Sequence, residues 1–194
     1  MQAKRILLIQ GNPNPNSFCQ AIADAYEEGV KEQGGIIKTI KLHDLQFSPN
    51  LTYGYNKRID LEPDLIKAQE LITWADHLVF VYPVWWGNMP AILKGFFDRV
   101  FLPGFAFKYR ENSPWWDKLL VGRTARQIVT LGMPNWYYWL FYGAPSHRAV
   151  KQLTLNFSGI KPVRTTVFSP VRLSQNNQRE KWLKRAHHLG TRFA

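Results

Sequence analysis

Apolar residues follow two alternating patterns along this chain, short continuous runs and longer runs with a helical period. The continuous runs are typical of buried strands, whereas apolar positions about 3.6 residues apart are typical of helices. Gly34 and Gly35 end the first helical run. The predicted strands are residues 4–10, 36–42, 77–82, 126–131 and 163–168, and the predicted helices are residues 17–33, 62–74, 90–101, 175–190 and a segment within 145–157.

Strict alternation of strands and helices predicts a parallel sheet with helices on both faces. The first and third predicted strands are the most apolar, as central strands of such a sheet should be. Right-handed crossovers then favour a doubly wound sheet. Five strands suit the flavodoxin-like order 2-1-3-4-5, so we predict an α/β, flavodoxin-like, doubly wound five-stranded parallel sheet in a single domain, residues 1–194.

Two neighbouring tryptophans follow the third predicted strand. Trp85 and Trp86 lie between Pro83 and Pro90, and Pro90 stands where a helix can begin. Ligands of open α/β sheets bind outside the carboxyl ends of the strands. We therefore predict a site for a flat apolar ligand here. The alternative is a pair of aromatic side chains that pack against the next loop.

The turn after the first predicted strand, residues 11–18, contains asparagine, proline and one glycine. Ser17 is a suitable N-cap, and the helix that follows would present unpaired backbone N–H groups and a positive dipole end. That combination binds phosphate. An ordinary strand-to-helix turn is the alternative, because Asn and Pro are common turn residues.

A third loop closes the fourth predicted strand with Thr130, Leu131 and Gly132, which offer a hydroxyl group and a close approach to the backbone. A plain turn is the default interpretation of this loop by itself. In the flavodoxin-like order, however, the loops after strands 1, 3 and 4 lie along one edge of the sheet. Together they would hold a phosphate tail and both edges of a planar ring.

Two further segments are unusually aromatic. Residues 135–143 contain six aromatic side chains, for which we expect packing in the core or at a subunit interface, with a lid over a flat substrate as the alternative. Residues 103–109 alternate apolar and other positions, which predicts a short extended flap inside an irregular segment, residues 103–120.

Charge is unevenly distributed over the chain, whose net charge is +11. Residues 1–97 contain 9 Lys/Arg and 10 Asp/Glu, whereas residues 98–194 contain 16 and 4. A solvated basic surface explains this, as does attraction of an anionic ligand such as a dinucleotide cofactor. We see no helix-turn-helix, zinc-finger or RNA-recognition signature, so we expect no nucleic-acid partner.

The remaining composition restricts the compartment and the chemistry. No apolar run approaches the length of a membrane span, and the chain begins directly with a predicted strand, so we expect neither membrane insertion nor a signal peptide. Cys19 is the only cysteine, which favours a cytoplasmic location. Its place in the first turn of a helix would lower its pKa, although we favour a packing role. The pair His187-His188 has no partners at metal spacing, so we expect no metal site.

Residues 83–100, followed by Pro-Gly-Phe-Ala-Phe at 103–107, resemble the NAD(P)H:quinone oxidoreductases of the flavodoxin-like fold. This family includes mammalian quinone reductase, bacterial modulator of drug activity and the ancillary oxidoreductase subunits of potassium efflux systems. The resemblance implies a flavin, usually FAD and in some members FMN, with NADPH or NADH as the electron donor. It also implies a homodimer with each active site at the subunit interface, and hydride transfer through the flavin to a quinone or similar aromatic acceptor.

Site residues follow from the resemblance position by position. A family tyrosine that approaches the substrate corresponds to Tyr138, which would form the pocket wall with Trp86 and hydrogen-bond a quinone oxygen. His147 is the candidate for a family histidine near the substrate. The other implied residues are Asn12, Ser17, Phe18 and Cys19 for the phosphates, and Pro83, Val84, Trp85, Trp86, Thr130, Leu131 and Gly132 for the ring.

This chain departs from the family pattern in the phosphate turn and in the substrate loop. Asn12 replaces the histidine and Cys19 the asparagine of many relatives, and the loop after Gly132 lacks the glycine-rich run of the mammalian enzyme. Two other classes therefore stay open: a flavin-bearing regulatory subunit that docks on a membrane transporter, and a basic nucleic-acid-binding protein.

Overall fold

The computed structural model describes residues 4–54, 56–57 and 59–194. The strands are β1 (Arg5–Gln10), β2 (Ile36–Lys41), β3 (His77–Pro83), β4 (Phe107–Tyr109), β5 (Trp116–Lys118), β6 (Thr124–Thr130) and β7 (Val163–Phe168). The main sheet has five parallel strands in the order β2-β1-β3-β6-β7, which confirms the predicted doubly wound topology. The strands β1 and β3 are central, and β3 is buried along its whole length.

Helices cover both faces of this sheet and produce two hydrophobic cores. Alternate side chains of the parallel strands point to opposite faces, so Leu7 and Ile9 enter one core and Ile6 and Leu8 enter the other. The helices are α1 (Phe18–Glu32), α2 (Pro63–Trp74), α3 (Ala91–Val100), α4 (Asn135–Tyr142), α5 (Pro145–Arg148) and α6 (Asn176–Thr191). The helices α1 and α6 cover one face, and α2 and α3 cover the other.

Three segments differ from the sequence-based expectation. The segment predicted as irregular contains a two-stranded antiparallel hairpin of β4 and β5, so the extended flap is confirmed at residues 107–109. The helix predicted within 145–157 is the short α5 followed by a π-helix, Ala149–Asn156. Residues 135–142 form a helix, α4, that the aromatic composition did not reveal. In the described residues, no helix is long and apolar enough to cross a bilayer.

Most side chains of α4 are exposed, and only Tyr138 is buried. Packing of this aromatic segment in the core is therefore wrong, because this helix of about two turns exposes nearly all its side chains. The subunit-interface and lid alternatives stay predictions. The loop between the second strand and the second helix includes Tyr55 and Arg58, which lie outside the described residues.

Candidate functional site

The turn between β1 and α1 presents free backbone donors at the amino end of a 15-residue helix. Ser17 is the N-cap, and its Oγ accepts a hydrogen bond from the Gln20 N–H at 3.3 Å. In this fully described turn, the N–H groups of Ser17, Phe18 and Cys19 have no acceptor in the protein. Three free donors at the positive end of a helix dipole form a site suited to a phosphate group.

Asn12 shapes the same turn. Its side-chain Oδ1 accepts a hydrogen bond from the Asn14 N–H at 2.9 Å, and the residue is almost completely buried. This Asx turn directs the chain away from β1 before α1 begins. Gly11 precedes it where a Cβ would lie 3.0 Å from Leu93 and 3.3 Å from Tyr82, so the close approach of this turn to the sheet favours glycine.

The tryptophan pair lies in a tight turn after β3. The Trp85 N–H donates to the Asn88 carbonyl at 2.8 Å, and the Asn88 N–H donates back to Trp85 at 2.9 Å. The two central residues, Trp86 and Gly87, have φ of 50° and 74°, as in a type I′ turn. This geometry holds the Trp86 indole fully in solvent, while Trp85 is about half exposed.

The third predicted loop connects the other two. The Val84 N–H donates to the Thr130 carbonyl at 2.8 Å, which joins the tryptophan turn to the end of β6. The Thr130 hydroxyl lies 3.4 Å from the Cys19 Sγ atom, which joins β6 to the first turn of α1. The three loops that the sequence assigned to one sheet edge therefore contact one another.

Burial has the largest effect on the pKa of the Cys19 thiol. The thiol is almost completely buried, and burial raises its pKa, with hydrogen bonds to Thr130 and Asn12 acting in the opposite direction. The expectation that the helix terminus would lower this pKa is wrong, whereas the packing role is supported by its place in a core cluster. Cys19 is therefore a neutral neighbour of the phosphate turn at neutral pH.

A cavity of about 760 Å³ opens between the tryptophan turn, the loop after β6 and α4. Five predicted site residues line it, and Gly132 leaves open space, because nothing lies within 4 Å of a Cβ built there. The predicted phosphate-turn residues, Pro83, Trp85 and Thr130 do not line it. The lining residues are Val84, Trp86, Gly87, Asn88, Leu131, Gly132, Met133, Tyr138, Tyr142, Pro145 and Arg172.

The residues that the sequence did not indicate as lining the cavity are Gly87, Asn88, Met133, Tyr142, Pro145 and Arg172. Asn88 and Met133 flank segments that the sequence did assign to the site, so the motif boundaries were drawn too narrowly. Tyr142 reaches the cavity because α4 is helical, and Arg172 because a 3₁₀ turn, Val171–Leu173, follows β7. No local pattern indicates these last two positions.

The Tyr138 hydroxyl connects two loops of the protein. It donates to the Gly87 carbonyl at 2.8 Å and accepts from the Ser146 N–H at 3.0 Å, and the side chain is buried. A phenol has a single proton to donate, so in this arrangement the hydroxyl has none to offer a substrate oxygen. This geometry indicates that Tyr138 positions the tryptophan turn. The resemblance had implied a different role, in which its hydroxyl donates directly to a substrate oxygen.

His147 packs edge-on against Tyr138, with ring centroids 5.2 Å apart. Burial lowers its pKa to about 4, so the ring is neutral at neutral pH. It does not line the 760 Å³ cavity. The expected substrate-side histidine thus lies behind the tyrosine.

Known proteins show strong similarity to this chain. The sequence profile of the family described as Flavodoxin-like fold matches residues 4–189. A Haemophilus influenzae protein named as an uncharacterized NAD(P)H oxidoreductase is 30% identical over 186 residues, covering 93% of this chain and 91% of that protein. The ribosyldihydronicotinamide dehydrogenase-like protein traD of Penicillium crustosum is 31% identical over 153 residues, which cover 66% of this chain and 57% of traD.

Comparison of the folds agrees with the sequence similarity. The NAD(P)H:quinone oxidoreductase from Methanothermobacter marburgensis superimposes with a TM-score of 0.82 at 25% identity, and the match covers 100% of both chains. The matched profile spans nearly the whole sequence, and the sheet has the order expected of that fold. The chain therefore belongs to the Flavodoxin-like fold family, among relatives that include NAD(P)H oxidoreductases.

Proposed function

We propose that this protein is a flavin-dependent NAD(P)H oxidoreductase that passes hydride from a reduced nicotinamide, by way of the flavin, to a quinone or similar aromatic acceptor. One observation carries the proposal. Free donors at the amino end of α1, the exposed Trp86 and the open space at Gly132 belong to three loops joined at one sheet edge. The names of the oxidoreductase relatives support the same class.

The chemistry of these residues fits a flavin. A phosphate needs fixed N–H donors, and the N–H groups of Ser17, Phe18 and Cys19 lack acceptors in the protein. A tricyclic ring needs a flat apolar wall and a backbone that it can approach closely, which Trp86 and Gly132 provide. The proposed residues are Asn12, Ser17, Phe18 and Cys19 for the phosphate end, and Pro83, Val84, Trp85, Trp86, Thr130, Leu131 and Gly132 for the ring.

When bound, the flavin supplies reversible acceptance and donation of hydride, which protein side chains cannot supply. The protein contributes position. Trp86 forms an aromatic wall, Tyr138 fixes the adjoining turn through its bond to the Gly87 carbonyl, and Arg172 adds a positive charge at the rim. Holding two rings in contact geometry contributes about 7–11 kcal/mol in the most favourable cases.

The flavin is FAD in our expectation from the resemblance, with FMN as the alternative. Both share the ring and the phosphate next to its ribityl chain, for which the three loops are suited, so these loops do not discriminate between them. Mass spectrometry of the chromophore released from the purified protein would identify it. The same preparation, supplied with NADH and NADPH in turn, would identify the donor.

A homodimer is also part of the proposal. A second cavity, of about 730 Å³, lies between α3, the β4–β5 hairpin and the π-helix, beside the exposed side chains of Tyr109 and Leu153. Exposed apolar surface of this kind favours a protein partner. We expect sedimentation to give a dimer and Leu153→Asp to weaken it, whereas Leu173→Asp, at an equally exposed site, should not. A monomer at all concentrations would contradict this part.

Flavin binding and turnover test the function directly. The flavin-free protein should bind FMN or FAD with quenching of flavin fluorescence, and the loaded protein should couple NAD(P)H oxidation to reduction of a soluble naphthoquinone. Trp86→Ala should weaken flavin binding or turnover at least about tenfold. Trp115→Ala, at an exposed indole on the hairpin, is the matched control. Failure to bind either flavin would overturn the proposal.

The transporter-subunit and nucleic-acid alternatives receive no support from a specific observation on the described residues. A cytoplasmic location and a single domain over residues 1–194 stay predictions from the sequence. Enzymatic oxidoreduction is the class that the relatives' names and the joined loops both support.

A further inference from the structure

The helix α4 presents an unusually large aromatic surface to solvent. Over eight residues, five apolar or aromatic side chains are between 57% and 68% exposed: Trp136, Trp139, Leu140, Phe141 and Tyr142. A contiguous exposed patch of this kind on a folded protein marks an interaction surface. It is not needed for the core, because only Tyr138 of this helix is buried.

Contacts within the patch hold it in one arrangement. The Tyr137 ring lies 4.6 Å from the Phe141 ring and 5.7 Å from the Trp136 ring, measured between centroids. Below the patch, the Tyr138 hydroxyl bonds to Gly87 and Ser146, and the Asn135 N–H donates to Ser169 at 3.1 Å. The patch is therefore a preformed surface, which loses little conformational entropy on binding.

Among the described residues, the loops around the patch carry positive charge and no carboxylate. The Nη1 atom of Arg148 would lie 3.8 Å from a Cβ on Gly143, at the carboxyl end of α4, and Arg172 shares the cavity rim with Tyr142. Residues 118–179 contain nine Lys or Arg and no Asp or Glu. The loops that contact α4, residues 84–90, 131–134, 143–148 and 167–173, all lack acidic side chains.

We propose that α4 docks this protein on an anionic lipid surface, with its aromatic side chains among the lipid headgroups. Trp and Tyr have an apolar body and a polar tip, which suits the boundary between headgroups and acyl chains, and flanking arginines are attracted to anionic lipids. A second copy of this chain is a less suitable partner for the α4 patch than an anionic lipid surface. A two-fold contact through this patch would bring Arg148 and Arg172 towards their own copies without a carboxylate to pair with them.

Docking in this way has a consequence for catalysis, which rests on the proposed oxidoreductase function. Tyr138 and Tyr142 belong to α4 and also line the 760 Å³ cavity. A docked α4 therefore places the cavity beside the lipid surface, where an apolar quinone is concentrated. An acceptor would reach the cavity from the bilayer without crossing bulk water.

Cosedimentation with vesicles tests the docking. The flavin-loaded full chain is mixed with vesicles of phosphatidylcholine alone and of phosphatidylcholine with phosphatidylglycerol, and we expect binding to the anionic vesicles only. Trp136→Ser combined with Trp139→Ser should weaken it at least roughly tenfold, because these indoles supply much of the apolar area. Arg148→Gln should weaken it roughly fivefold. Trp115→Ser, at an equally exposed indole on the hairpin, should bind like the parent.

Three outcomes of the vesicle experiment, and one of sedimentation, would overturn the docking proposal. The three vesicle outcomes are no binding of the parent to anionic vesicles, equal binding to neutral vesicles, and undiminished binding of the double tryptophan variant. If the double variant also changes the oligomeric state in sedimentation, the patch is a protein interface and the proposal is wrong. Vesicle binding needs neither a nicotinamide nor an acceptor. Reduction of a soluble naphthoquinone by the same preparation therefore reports on the proposed function separately.

Discussion

Trp86 has a φ of 50°, a conformation in which an L-residue other than Asn or Gly is uncommon. The left-handed region costs such a residue about 1–2 kcal/mol. The side chain gains no packing in return within the chain, because it is fully exposed. Backbone strain without a folding benefit points to a functional role for this indole. Contact with the ring at the predicted site is such a role.

We expect Trp86→Asn to stabilise the flavin-free protein by about 1 kcal/mol, because Asn-Gly is the preferred pair for a type I′ turn. The same change should weaken flavin binding or turnover through loss of the aromatic wall. Urea denaturation of the flavin-free variant measures the first effect, and flavin titration measures the second. A variant that is less stable than the parent would show that the turn is not strained.

Tyr138→Phe tests whether the hydroxyl acts within the protein. The change leaves the buried Ser146 N–H and the Gly87 carbonyl without their partner, so the free energy of unfolding should fall by about 1–3 kcal/mol. Tyr109→Phe, at an exposed hydroxyl, should change it little. Loss of quinone turnover with unchanged stability would instead support the role of direct donor that the resemblance implies.

At the scale of elements, α1 and α6 cross at unusually close range. A Cβ on Gly29 would lie 2.1 Å from the His187 carbonyl oxygen, and a Cβ on Gly190 would lie 2.1 Å from that of Tyr26. Two glycines that face the opposite backbone allow this approach. The crossing lies in the carboxyl-terminal half of α1 and packs α1 and α6 together over one face of the sheet.

Gly29→Ala should therefore destabilise the protein by about 1–3 kcal/mol or more, because the methyl group forces the two backbones apart. Gly132→Ala is the matched control, since nothing lies within 4 Å of a Cβ there. Thermal unfolding of both variants measures the difference. Equal unfolding midpoints for the two variants would contradict the close crossing.

The local sequence pattern was sufficient to predict the long helices and strands, but it was insufficient to predict the short ones. Helix α1 begins and ends within one residue of its prediction, because its N-cap Ser17, its apolar period and Gly34 are all local signals. Apolar or aromatic residues occupy nearly every position of α4, so no helical period marks it. The helix is held by hydrogen bonds from Tyr138 and from Asn135 to distant loops. The π-helix after α5 is likewise invisible to a 3.6-residue period.

For the molecule as a whole, buried histidines connect stability to pH. Burial lowers the pKa of His77 to about 3 and that of His147 to about 4, from an ordinary value of 6.5. Both are neutral in the folded state and take up a proton more readily when unfolded. Their contribution to stability is thus complete above pH 6.5 and decreases as the pH falls towards the folded-state values.

His147→Phe keeps the edge-on contact with Tyr138 and removes the titrating group. Between pH 6.5 and about 4, the parent should lose up to about 1.4 kcal/mol of stability per pH unit more than this variant. Urea unfolding across this range measures the two slopes. His188→Gln, at an exposed histidine of α6, should keep the parental slope. Parallel curves for His147→Phe and the parent would show that this histidine is not linked to folding.

The sequence by itself determined the elements of the sheet, their order and the three loops at one edge of it, because apolar period, turn residues and crossover rules are local or general constraints. The resemblance of residues 83–107 added the family, which the comparisons confirmed. The sheet elements, their order, the three loops and the family can all be predicted without knowing which side chains are in contact.

Only the tertiary structure decided the environment of each site residue. It directed the hydrogen bond of the Tyr138 hydroxyl to the Gly87 carbonyl, raised the pKa of Cys19 by burial and left the aromatic side chains of α4 in solvent. Each of these depends on which distant segments surround a side chain, and desolvation and hydrogen bonding act only when those segments have come together.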